Sequence, residues 1–122
     1  MQDYDPGYAA DRLFEAVRNL SLPHHDERRS ILDAFHQFSS GIPAGADLGN
    51  DEWNRTRARI YGIMGIESDQ ASEAHLWVRA GQLSFEERTE LSRGILELLV
   101  VSERLRSGQD RPPPSLVQRN QC

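Results

Sequence analysis

S-F-E-E-R-T-E-L-S-R-G-I-L-E-L-L-V-V-S-E-R-L-R-S, residues 84–107, is the stretch from which the fold is read. Ser84 followed three residues later by Glu87 is a capping box, which marks a helix start by satisfying two orphan backbone donors. Leu91, Ile95, Leu98 and Leu105 then recur at helical spacing and make one apolar face. Leu96, Leu99, Val100 and Val101 fall outside that face. At about 100° per residue, the polar strip left through the middle is Glu86, Glu90, Arg93, Glu97 and Arg104. A helix apolar around most of its perimeter needs cover on most sides. In a chain of 122 residues that predicts a helix central to a bundle, shared across a subunit interface, or both.

Four further helices are predicted N-terminal to it. Asp5-Pro6 supplies an N-cap acid and a proline at the first helical position, and Leu13, Phe14, Val17 and Leu20 follow as an apolar set until Pro23 breaks the run. A second helix spans about His24 to Phe38, with Ile31, Leu32, Phe35 and Phe38 on one side, and Gly41 and Pro43 end it. Residues 41–50, G-I-P-A-G-A-D-L-G-N, read as a loop. Asn50 or Asp51 caps a third helix bearing Trp53, Ile60, Tyr61, Ile63 and Met64, with Gly65 placed to terminate it. Ser68 or Asp69 starts a fourth through Ala71, Ala74, Trp77 and Val78, stopped by Gly81. Nowhere is strict alternation sustained, and no repeat is visible, so no strand is expected. The fold class is therefore all-α: a compact bundle of four to five helices with a central C-terminal helix at about 84–107. Residues 1–108 form a single helical domain. Residues 109–122, Q-D-R-P-P-P-S-L-V-Q-R-N-Q-C, lack core-forming side chains and are expected to be a flexible tail.

Composition excludes several classes. The net charge is −5. Residues 1–50 carry four Arg against eight acids, and residues 84–122 carry six of each. With no basic region, bulk attraction to nucleic acid is disfavoured. The longest apolar run, Leu98–Val101, is far too short to span a bilayer. The N-terminus carries Asp3 and Asp5 where a signal peptide has basic residues, so a cytoplasmic location is expected. Every basic residue is arginine, as expected of codon bias in a GC-rich bacterial genome or of selection against a modifiable amine. Lysine Schiff-base chemistry and a P-loop lysine are thereby ruled out. The single cysteine, Cys122, makes no internal disulfide and no thiolate zinc cluster.

Residues 60–83, I-Y-G-I-M-G-I-E-S-D-Q-A-S-E-A-H-L-W-V-R-A-G-Q-L, resemble a helix-turn-helix. Gly65 takes the place of the turn glycine, and W-V-R-A-G-Q-L is similar to the recognition-helix exit of excisionase- and MerR-like DNA-binding domains. The resemblance covers about a fifth of the chain and implies a DNA-binding regulator contacting bases through Gln70, Ser72, His75 and Arg79. The gap from Gly65 to Gly81 is roughly a helical turn longer than in that family. Asp69 and Glu73 would also repel phosphates on a helix whose one cation is Arg79.

His24-His25-Asp26-Glu27, with His36 or His75, suggests a histidine-based metal site. Adjacent histidines point about 100° apart on a helix, and His25 and His36 lie about 16 Å apart along it. A helix start, with acids at the positive end of the dipole, is the better reading. Arg57 leans towards the apolar side of helix three and is expected to need a carboxylate partner. There is no Gly-rich phosphate loop, nucleophile elbow or H-E-x-x-H. No catalytic, cofactor or metal residue is assigned.

By subtraction, the expected function is a small cytosolic protein-binding module that regulates, adapts or inhibits a protein partner, expected to be a homodimer. Its expected interface residues are Leu96, Val100, Leu99, Arg93 and Glu97 on helix five, together with Trp77.

Overall fold

The computed structural model describes residues 4–21, 26–66 and 72–108. Five helices follow in order: α1 Pro6–Ser21, α2 Glu27–Gly41, α3 Asp51–Ile63, α4 Glu73–Gln82 and α5 Phe85–Ser107. The described chain is an all-α bundle, as expected from periodicity. No helix among the described residues is long and apolar enough to cross a membrane.

Most helix starts follow their sequence signals. Asp5 Oδ1 accepts the Gly7 amide at 3.0 Å, and Pro6 opens α1 where its missing N–H costs nothing. Asn50 Oδ1 accepts from the Glu52 and Trp53 amides. Ser84 and Glu87 form the reciprocal capping box. Gly108 ends α5 with φ +82°, the left-handed conformation that costs other residues more. Two boundaries differ from expectation. The cap of α2 is Asp26, so both ends of the helix lie three residues nearer the C-terminus than His24–Phe38 would place them. The cap of α4 is Ser72, rather than Ser68 or Asp69, which lie outside the described residues. His24, His25, Gln70 and the segment 109–122 also lie outside them.

Helices pack in the series α3, α5, α1, α2, α4. α1 and α5 run antiparallel: Arg106 pairs with Asp11 at 3.1 Å, while Leu20 and Leu91 line a shared cleft. Small residues set the closest approaches. A Cβ on Gly41 would stand 2.9 Å from Arg12 Cβ and 3.2 Å from Ala9 Cα, so α2 reaches α1 only through a bare backbone. Gly94 admits Ile60 in the same way, its missing Cβ lying 3.0 Å from Ile60 Cδ1.

Leu13, Leu32, Phe35, Phe38, Ile60 and Met64 are fully buried, as are Leu91, Ile95 and Leu98 of α5. Each contributes on the order of 1.5–3 kcal/mol of transfer free energy. Tyr61 stands edge-on to Phe35 with centroids 5.4 Å apart and donates its hydroxyl hydrogen bond to the Ile42 carbonyl at 2.7 Å. That bond ties the loop after α2 to α3.

The loop holds a feature at odds with expectation. Arg57 forms no close ion pair among the described residues, although its charge acts on Asp47: it donates to the Ala46 carbonyl and to Asn54 Oδ1 at 3.0 Å. Asn54 Oδ1 also accepts the Leu48 amide at 2.8 Å, and its amide group donates to Asp47 at 3.0 Å. Asp47 is held below the ordinary carboxylate range by Asn54 and then by the Gly49 amide. A backbone carbonyl and a carboxamide both hold Arg57 Nη1 because the loop folds back over α3, while its buried Nε has no hydrogen-bond partner.

Candidate interaction face

α5 is 23 residues long and meets α1 and α3. Its core arc holds Leu91, Gly94, Ile95, Leu98, Val101 and Ser102, all buried. The expectation that cover would extend nearly all round is not met among the described residues. Leu96 is 50% exposed, Val100 45% and Phe85 71%. With 100° per residue, these three lie within about 60° of one another and opposite the core arc, with Thr89 and Ser92 between them. Over residues 85–100 the outer side of α5 is thus an apolar stripe with small polar residues in its gaps, and Glu103, the next residue on that line, is paired with Arg106. Helix α1 meets α5 through Gly7 and Asp11, which both approach Arg106, and its buried Ala9 and Leu13 face Gly41 of α2 instead.

Phe14 extends the stripe sideways. Gly7, Asp11 and Phe14 recur at i, i+4 and i+7 and share one face of α1. Gly7 and Asp11 both meet Arg106 of α5, which puts Phe14 on the same α1–α5 seam. It is 53% exposed, although the sequence pattern placed it in the core set of α1. Val78, expected in the core of α4, is exposed as well. Phe85 was missed as a surface residue, yet its signal was present: 85, 89, 92, 96 and 100 follow helical spacing through the region of the capping box.

Arg93 and Glu97 are exposed on one edge of the stripe, and Leu99 is half-buried on the other. Glu86 and Arg104 share the Arg93–Glu97 edge. None of these four charged side chains forms an ion pair among the described residues. Trp77 is elsewhere. It is half-buried with the Arg28 guanidinium 4.9 Å above its ring, at the contact of α2 with α4, and does not join the α5 stripe.

The residues expected for DNA contact are also distributed. Ser72 accepts the His75 amide as the α4 cap. His75 is exposed, its ring beside Gly65. Arg79 donates to the Ile63 carbonyl at 2.8 Å and to Glu87 at 2.8 Å, so its guanidinium braces the end of α3 against the start of α5. The Ser84 amide, followed by Arg79, keeps the Glu87 carboxyl below its ordinary value. Residues 64–72 lie between α3 and α4, and 67–71 of them are outside the described residues.

His36 Nε2 lies 2.9 Å from Glu73 Oε2 at the rim of a cleft lined by Phe35, Ser39, Tyr61 and Leu76. The pair links α2 to α4. Ser39 donates its hydroxyl to the His36 carbonyl, so it is not aligned with the imidazole as a nucleophile would be. No group of three or more potential metal ligands converges among the described residues. Compared with protein-family models, curated proteins and solved structures, the chain matches none.

Proposed function

We propose that this protein is a small cytoplasmic protein-binding module, a regulator, adaptor or inhibitor without catalysis of its own, and that the outer face of α5 is its binding surface. One observation carries the reading: Phe85, Leu96 and Val100 line up on the solvent side of a helix whose core contacts are complete without them. Scattered exposed apolar residues are normal on a protein surface, whereas an aligned set rimmed by charges has the anatomy of an interface. Such a face costs solubility and leaves about half of Leu96 and Val100 in water.

The test is a pull-down from the native host, comparing the wild type with a Leu96→Asp, Val100→Asp variant of unchanged helicity. Loss of a captured protein in the variant is the expected result. Identical captured sets for the two baits remove this face from the reading.

A further inference from the structure

Resting on the reading of the α5 outer face as a protein-binding surface, we infer that its occupant is a second copy of this chain, docked antiparallel about a two-fold axis level with Ile95. Charge order along the edge of the stripe carries the inference. Glu90 of the polar strip is engaged by Arg59 of α3; the remaining Glu86, Arg93, Glu97 and Arg104 alternate in sign along one edge, and none of the four has an ion-pair partner among the described residues. In an antiparallel two-fold pair, each edge of one helix runs along the same edge of the other, and every contact occurs twice. With the axis level with Ile95, Glu86, nine residues before it, meets Arg104 of the second copy, nine residues after it. Arg93, two before, meets the second copy's Glu97, two after. One register therefore pairs all four charges with opposite signs.

The apolar stripe fits that register. Leu96 lies beside its own copy at the axis, and Val100 lies over the Thr89–Ser92 segment, where small side chains leave room for it. Phe85 reaches the last turn of the second copy's α5. The paired segment is about 34 Å long at 1.5 Å per residue.

The experiment measures the dimer constant of the full chain by sedimentation equilibrium in a Cys122→Ser background, which removes thiol cross-linking. The wild type is expected to give twice the chain mass at high concentration. Arg93→Glu sets like charges face to face at two places and should raise the dissociation constant about tenfold. Arg93→Glu with Glu97→Arg restores opposite signs and should return it to within about threefold of the wild type. Unchanged far-UV circular dichroism shows that each variant is folded, and rescue by the double exchange shows that the contact is between copies. A chain monomeric at several hundred micromolar overturns the inference, as does a dimer indifferent to Arg93→Glu or one the double exchange does not rescue. These outcomes are separate from the pull-down: a monomer that still loses a captured protein on Leu96→Asp, Val100→Asp keeps the proposed function and discards the second copy.

Discussion

Asn54 does more for the loop than its ordinary surface position suggests. Its carboxamide accepts the Leu48 amide and an Arg57 hydrogen bond and donates to Asp47. Asn54→Ala removes all three, and the cost is expected at about 1–3 kcal/mol, read as a lower urea midpoint with unchanged slope. Gly41→Ala inserts a Cβ within 3.2 Å of the Ala9 backbone. Overpacking of that kind costs about 1–3 kcal/mol, more than the gain in helix propensity returns, so a net fall in melting temperature is expected. Neither effect was readable from the amino-acid order. A charged side chain announces that it needs a partner, but the Ala46 carbonyl that meets Arg57 is a group every residue owns. Gly41 looked like a helix stop, and only the α1–α2 crossing reveals it as a point of close approach.

At the scale of elements, the starts and stops were readable wherever one residue had a single role. Asp5-Pro6 and the Ser84–Glu87 box act where the sequence placed them, and of the two caps offered for α3, Asn50 rather than Asp51 serves. The start of α4 was not, because S-D-Q-A-S offers three caps within five residues and only packing selects Ser72. The capping box also has a pH signature. The folded-state pKa of Glu87 lies below its ordinary value, first through the Ser84 amide and then through Arg79. A depressed carboxyl contributes stability that is complete above the unfolded pKa and is lost as pH falls through the folded one. The start of α5 should therefore weaken below about pH 4. Glu87→Gln keeps the box but not the charge on Arg79, so it should be less stable at pH 7 and less sensitive to acid, as measured by urea unfolding at both pH values.

On the scale of the whole molecule, periodicity revealed the all-α bundle and the buried arc of α5, but not which side of that helix stays open. Leu96 and Leu98 are chemically alike, and the flank on which α1 settles separates them. Stability should separate them too. Leu98→Ala is expected to cost about 2–5 kcal/mol, whereas Leu96→Asp with Val100→Asp should change monomer stability by no more than about 0.5 kcal/mol per site. In the wild type, the melting temperature should rise with protein concentration, as it does for any fold stabilised by association, and in the double Asp variant it should not. A last consequence concerns the order in which the chain assembles. Tyr4 and Ser102 share a hydrogen bond of 2.6 Å across 98 positions, so α1 docks on α5 only after nearly the entire polypeptide has been ring-closed, an entropic toll that slows folding. A circular permutant splicing residue 108 to residue 4 through a short linker, and opened between residues 66 and 72, turns that remote contact into a neighbouring one. It should reach the same architecture faster than the parent.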